Sequence, residues 1–351
     1  MKGILLNNLG SPDSTETKDV KKYLGEFLMD ERVIDISYWK RWLLIKGIIL
    51  NIRPKKSGAA YKKIWRKDGS PLVLISKMFT KKIIKKVNLP VALAMRYGSM
   101  SMEKGIQELV DQGVTEMFLV PLYPHYAMSS YETVVAKAEE IIAHRFPNLK
   151  LDVLPPFYNK PGYIEAMCNN IKNHLNNFKY DHILFSYHGI PERHILKSDV
   201  TKSHCKLDNS CCDRNSVAHH TCYRHQCFQT TKEIAKILNL KEGTYSNSFQ
   251  SRLLKDPWLK PYTDFEIEKL PSKGKKRLAV ITPAFVSDCL ETLEEIAIVG
   301  KDEFLKFGGS DFKHIECMND NDDWVDVMVS WIDKWETKEQ NQKNSCEINR
   351  D

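Results

Sequence analysis

Two rhythms of apolar and polar positions alternate along the chain. Short apolar runs closed by Gly, Pro, Asn or Ser predict buried strands over Gly3–Asn8, Val91–Met95, Glu116–Leu122, Leu149–Leu154, His182–Ser186 and Leu278–Thr282. Between them, apolar residues at helical spacing predict helices over Thr17–Met29, Ser101–Gln112, Ser130–Arg145, Gly162–Asn176, Thr230–Leu238 and Ser287–Lys306, with a terminal helix over Asp322–Trp335. Such alternation predicts an α/β fold with parallel sheets and crossover helices. The polar stretch 337–351 has no apolar period and is expected to fray.

One pattern occurs twice. Gly3-Ile4-Leu5-Leu6-Asn7-Asn8-Leu9-Gly10-Ser11-Pro12 matches His182-Ile183-Leu184-Phe185-Ser186-Tyr187-His188-Gly189-Ile190-Pro191: an apolar strand, a polar end and a Gly-x-Pro turn. Read as a repeat, it predicts two α/β domains that open on equivalent strands, with His188 standing where the first copy has Leu9. The expected units are 1–155, 156–321 with a cysteine-rich insertion at 203–227, a terminal helix 322–336 and a tail 337–351. Any buried strand before a Gly/Pro turn has a similar look, which is the plainer reading.

The chain has 351 residues, 42% apolar and 28% charged, so it is neither disordered nor fibrous as a whole. A net charge of +7 suits an anionic ligand or an acidic membrane surface but is too small to imply nucleic acid. No apolar run reaches the ~18 residues of a membrane span. The opening residues read as a strand rather than a signal peptide, and a cytoplasmic protein is expected.

The segment from Tyr38 to Ile52 interleaves Trp39, Trp42, Leu43, Ile48 and Ile49 with Lys40, Arg41 and Lys46. It reads either as a helix packed on the core or as an amphipathic lip against a hydrophobic ligand or bilayer surface.

Three constellations carry chemistry. His188 closes a buried strand and precedes Gly189, which aims an imidazole at the crevice where open α/β sheets bind ligands. The alternative is a histidine satisfying a turn. Asp288, Glu291 and Glu295 follow the strand ending at Thr282; at helical spacing they share one face, suited to proton relay or a hard cation. A solvated acidic first turn is the competing reading. Nine cysteines are present, and Cys205, Cys211, Cys212, Cys222 and Cys227 crowd one polar stretch with His204, His219, His220 and His225. In a chain without an export signal this points to metal, either an iron–sulfur cluster on four thiols or structural zinc. Adjacent Cys211 and Cys212 rarely ligate one metal together, so four of the five is the natural count. Arg96-Tyr97-Gly98 and Pro121-Leu122-Tyr123-Pro124-His125-Tyr126 are weaker signals at other strand ends.

Taken together, these motifs resemble the ferrochelatases over nearly the whole chain, roughly Lys2 to Trp335. The matching residues are Leu6-Asn7-Asn8-Leu9-Gly10-Ser11-Pro12, Arg53 with Tyr61, Trp65 and Gly69-Ser70-Pro71, Met95-Arg96-Tyr97-Gly98 and Pro121-Leu122-Tyr123-Pro124. Ser129-Ser130, Ser186-Tyr187-His188-Gly189-Ile190-Pro191, Gln250-Ser251-Arg252, Pro257-Trp258-Leu259 and Pro283-Ala284-Phe285-Val286-Ser287-Asp288 running into Glu291-Thr292-Leu293 match as well.

The resemblance implies two similar Rossmann-like, chelatase-type domains with a cleft between them. It also implies a lyase-type enzyme of haem biosynthesis that inserts Fe2+ into protoporphyrin IX, releasing two protons. By the same resemblance His188 is catalytic and handles pyrrole protons or the substrate iron, faced by Glu291, with Glu295 and Asp288 extending a carboxylate path. Leu9, Tyr123, Trp258 and Phe285 would pack on the macrocycle, Arg53 and Ser70 would meet its propionates, and Arg96 and Tyr97 would line the inner wall. Coproporphyrin as substrate, or a non-catalytic haem or iron–sulfur carrier, are the alternatives.

The expected cofactor is a [2Fe–2S] cluster, with structural zinc as alternative, and peripheral contact with a membrane is a further expectation. Two departures stand out. Cys289 occupies a position where many members carry histidine, and Met128 and the single tail Cys346 do not fit the animal-type cluster, which leaves the insertion.

Overall fold

Ile4, Leu5 and Leu6 are all fully buried, on both faces of their strand, as expected for a parallel sheet covered on either side by helices. The computed structural model describes residues 1–208, 210–252 and 256–347, with side chains as far as 337. The first sheet holds β1 (Lys2–Gly10), β2 (Val91–Tyr97), β3 (Glu116–Pro121) and β4 (Lys150–Val153) in the order β2-β1-β3-β4. The second holds β5 (His182–His188), β6 (Tyr245–Gln250), β7 (Arg277–Ile281) and β8 (Asp311–Ile315) in the order β6-β5-β7-β8. Every strand pairing within the sheets is parallel.

The two matching decapeptides occupy the same place in their sheets. Leu6 pairs with Leu93 and Val120, and Phe185 pairs with Asn247 and Ile281. The fold is α/β with two four-stranded parallel sheets, as the alternating pattern predicts.

β6 and β8 escape the pattern because neither carries an apolar run. Ser246, Asn247 and Ser248 of β6 satisfy His182, Thr231 and Thr263 by hydrogen bonds instead of presenting an apolar run. The helix expected over Thr230–Leu238 starts earlier, at Tyr223, since its first turns bury Arg224, His225 and Gln226, which carry no apolar period.

The stretch 287–306 is not one α-helix. Glu291–Gly300 is π-helical, followed by an α-helical turn over Lys301–Lys306. Leu43–Ile49 and Met128–Glu132 are π-helical too, a form concentrated at functional sites.

The terminal helix, Asp322–Glu347, runs past Trp335 into the segment expected to fray. Lys, Glu and Gln there favour helix and no Gly or Pro interrupts it. Positions 348–351 of that segment lie outside the described residues.

This helix follows the second sheet in sequence yet packs back on the first. Trp335 stacks on Phe118 with ring centroids 4.9 Å apart, its indole N–H donates to Asp152 at 2.8 Å, and Lys2 Nζ donates to the Glu336 carbonyl at 3.0 Å. Trp324 joins Phe79 and Tyr163, so one apolar cluster runs through both sheets. No helix among the described residues is long and apolar enough to cross a membrane.

Candidate active site

Both sheets turn the C-terminal ends of their central strands toward one cavity, where open parallel sheets bind ligands. At the end of β1, Gly10 has φ +105°, and a Cβ built there would lie 2.0 Å from the Tyr97 carbonyl oxygen, so only glycine fits. At the end of β5, Gly189 donates to the Gln250 carbonyl at 2.7 Å, and a Cβ would clash with that same oxygen. Leu9 and His188, one residue before each glycine, both line the cavity.

The cavity encloses about 1460 Å³, part of it open to solvent. The first-sheet half of its wall includes Leu9, Leu28, Ile34, Leu122 and Tyr123, with Arg53 from the helix Leu50–Ile64. The other half includes His188, Trp258, Phe285, Cys289, Glu291 and Glu295. Tyr123 Oη, Trp258 Nε1 and His125 Nδ1 are buried without a hydrogen-bond partner in the protein, and all three residues line this space. Buried polar atoms left unpaired at a cavity wall point to a ligand or water that completes them.

The imidazole is set for proton acceptance. His188 Nδ1 lies 2.6 Å from the Gly189 carbonyl oxygen, and a carbonyl only accepts, so Nδ1 carries the proton. Nε2 is therefore left with a lone pair. Burial holds the ring below its ordinary pKa, against the opposing pull of the Glu291 carboxylate, and the Arg53 charge lowers it further. His188 is thus neutral at pH 7 and able to take a proton.

Glu295, buried in the same wall, is pushed up to about 7, first by burial and then by the charge of Glu291; a hydrogen bond from Ser251 opposes this. Ser251 reaches it from a left-handed backbone conformation, φ 64°, a strained geometry typical of functional sites. A carboxyl that titrates near neutrality beside a basic imidazole can pass protons stepwise. The Cys289 thiol next to them is held protonated by burial and by Glu291.

Eight of the residues singled out from sequence share this cavity: Leu9, Arg53, Tyr123, His188, Trp258, Phe285, Glu291 and Glu295. Four lie outside its wall. Asp288 precedes the π-helix and so does not share a face with Glu291 and Glu295; it accepts from Asn319 and Thr292 at 2.7 Å each. Arg96 and Tyr97 are spent on Asp30, at 2.5 and 2.9 Å. Ser70 is buried just before the helix Pro71–Ile84. Ser251, from the matched Gln250-Ser251-Arg252 motif, lines the cavity too, as do Arg193 and His194, which no periodicity or motif spacing exposes.

Beside this cavity the cysteine-rich segment folds into a ring of four thiols. Cys222 contacts Cys205 and Cys212, and Cys211 closes the ring against the same two. Its lone outsider is Cys227, buried in the helix Tyr223–Ile237, and the adjacent pair Cys211 and Cys212 both belong to the ring. Both lie in the short turn Ser210–Asp213.

The hydrogen bond from the Cys222 thiol pulls Cys205 down to about 6 and Cys212 down to about 7, while Cys222 itself is held protonated. Asp199 anchors the loop by accepting from the backbone of His204 and Cys205, at 3.0 and 2.9 Å. Among the described residues, no three or more His, Cys, Asp or Glu side chains gather about one metal-ion position. The thiols instead touch pairwise around a ring.

The family model described as ferrochelatase matches residues 1–335. The ferrochelatase of Opitutus terrae is 46% identical over 337 residues, covering 95% of this chain and 97% of that one. The ferrochelatase of Stutzerimonas stutzeri is 43% identical, covering 93% and 96%. Among solved structures, the sirohydrochlorin chelatase SirB of Bacillus subtilis subspecies spizizenii, in complex with cobalt, superposes with a TM-score of 0.53 at 9% identity. That match covers 95% of this chain and 94% of SirB, a likeness of fold alone. Matched along almost its entire length by the family model and by close relatives, the chain belongs to the ferrochelatase family.

Proposed function

We propose that this cleft inserts ferrous iron into protoporphyrin IX, yielding protohaem and two protons. The observation that carries the reading is the joint presence, in one largely apolar cavity, of a neutral imidazole with a bare Nε2 and the carboxylates Glu291 and Glu295.

The chemistry balances without an oxidant or reductant. Two pyrrole N–H bonds break, the nitrogen electron pairs bind the incoming Fe2+, and two protons leave. His188 Nε2 accepts a proton from one face of the ring. Glu291 and Glu295 form the opposing path, with Glu295 near its titration midpoint at neutral pH and suited to hand protons on. Leu9, Tyr123, Trp258 and Phe285 hold the flat macrocycle, and Arg53 meets a propionate. Fixing the ring between rigid strand ends supplies the orientation that metal entry demands.

The preference for protoporphyrin over the more highly charged coproporphyrin rests on the apolar lip. Trp39 and Ile52 are 76% and 72% exposed beside Leu43 and Ile48, on the elements that lead to and include the helix bearing Arg53. The same exposed residues suit peripheral contact with a membrane surface. Anaerobic insertion assays on the two porphyrins test the assignment: faster turnover of protoporphyrin supports it, faster turnover of coproporphyrin reverses it. Tight haem binding without insertion makes the protein a carrier.

For the thiol ring we propose a [2Fe–2S] cluster held by Cys205, Cys211, Cys212 and Cys222. Four thiols in pairwise contact around one ring, two of them eased toward thiolate, supply that donor set. Such a cluster supplies a one-electron redox centre when bound. Visible absorption with iron and sulfide analysis of anaerobically purified protein tests it, and colourless, zinc-loaded protein overturns it.

A further inference from the structure

The helix Tyr223–Ile237 begins at the residue after Cys222, so one end of it is anchored in the thiol ring. Positions 223, 226, 230 and 231 follow helical spacing, and Tyr223 lines the cleft. Tyr223 Oη donates to the His188 carbonyl at 2.8 Å. Gln226 donates to the His219 and His220 carbonyls, at 3.0 Å each, and accepts from the Tyr126 backbone at 2.7 Å. Thr230 Oγ1 lies 2.9 Å from His125 Nε2, and Thr231 Oγ1 lies 2.7 Å from Tyr187 Oη.

The Tyr223 bond falls where the sheet stops supporting His188. β5 pairs with β7 only as far as Phe185, so on that side the His188 carbonyl has no strand partner. A buried carbonyl needs a donor, and Tyr223, itself 5% exposed, supplies it.

We propose that Tyr223 is a positioning residue for His188 and that, through it, the arrangement of the thiol ring sets the orientation of the imidazole in the cleft. The cysteine-rich insertion is thus mechanically joined to the chemistry: displacing Cys222 moves the first turn of the helix, and the first turn carries the hydroxyl that fixes the end of β5. The proposal rests on the chelatase reading of the cleft for its effect on turnover, but not for its effect on His188 itself.

The test is Tyr223→Phe, which removes one hydroxyl. Expected are a fall in kcat on the order of tenfold, a porphyrin KM within about twofold, and a shifted His188 imidazole NMR resonance, identified by its loss in His188→Ala. Far-UV circular dichroism and the count of reactive thiols stay as in the unaltered protein. Cys222→Ser is expected to move the same resonance, and the double variant to go no further than the stronger single one.

An unmoved resonance and unchanged kcat in Tyr223→Phe, with His188→Ala inactive, overturn the positioning role and leave the chelatase reading intact. Additive effects of the two substitutions overturn the link to the ring. Should Tyr223→Phe not fold, 3-fluorotyrosine placed at position 223 alone keeps the ring and strengthens the donor. It is expected to move the His188 resonance the opposite way from a weakened bond, and no movement overturns the proposal.

Discussion

The ends of β1 and β5 are built alike and do different work. Each is the second strand of a four-stranded parallel sheet, each closes on a glycine that backbone contact requires, and each places the preceding side chain in the same cavity. On β1 that side chain is Leu9; on β5 it is His188. The loops around them follow suit. The first sheet contributes Leu28, Ile34, Leu122 and Tyr123, while the second contributes the imidazole, Glu291 and Glu295. Two sheets of the same strand order thus supply mainly wall from the first and proton chemistry, with Trp258 and Phe285, from the second. At the equivalent position of the two strand ends, one carries an apolar side chain and the other an imidazole.

The largest effect expected from breaking this comparison comes from His188→Ala. It should lower kcat by about 10³-fold, within the usual range for a lost acid–base group, without changing the far-UV spectrum. Activity within tenfold of the unaltered protein would place the chemistry elsewhere. Next is the join between the two halves. Trp335→Ala removes the stack on Phe118 and the bond to Asp152, and should lower the unfolding free energy by ~3–5 kcal/mol in urea titrations, with little change in KM.

Glu295→Gln comes third. The folded carboxyl titrates at about 7, above the ~4.3 of an unfolded glutamate, so the fold favours the protonated form. That contribution is whole below pH ~4.3 and is lost as pH rises through about 7. A neutral glutamine should therefore be more stable than the glutamate at pH 8, by up to ~3 kcal/mol, with the advantage shrinking toward pH 4. The kcat profile should also lose its inflection near pH 7. An unchanged pH dependence of both properties would remove Glu295 from the proton path. The smallest effect is expected from the wall: Leu9→Ala should raise the porphyrin KM about threefold, worth ~0.7 kcal/mol, and leave kcat nearly alone.

The central strands were legible because their runs are apolar on both faces, as β1 and β5 illustrate. β6 and β8 were not, since neither has an apolar run: β6 carries hydrogen-bonded Ser246, Asn247 and Ser248, and β8 mixes Phe312 and Ile315 with Asp311, Lys313 and His314. His188 could be singled out from a strand end followed by glycine, and the five clustered cysteines from their density. Asp288 does not share a helical face with Glu291 and Glu295, because the stretch starts as a loop and continues as a π-helix rather than an α-helix. Nothing near Arg96 and Tyr97 in the chain announces Asp30, which binds them both.

Local chemistry therefore determined the α/β alternation, the paired strand ends, the imidazole and the thiol-rich segment, since each depends on residues within a few positions of one another. Long-range packing alone decided which groups meet. It joined Trp335 to a strand more than two hundred positions earlier, chose Cys227 as the thiol left outside the ring, and laid the Tyr223 hydroxyl on the His188 carbonyl. Burial also set the protonation of His188 and Glu295, because the cost of holding a charge depends on what surrounds it in space and not on its neighbours along the chain.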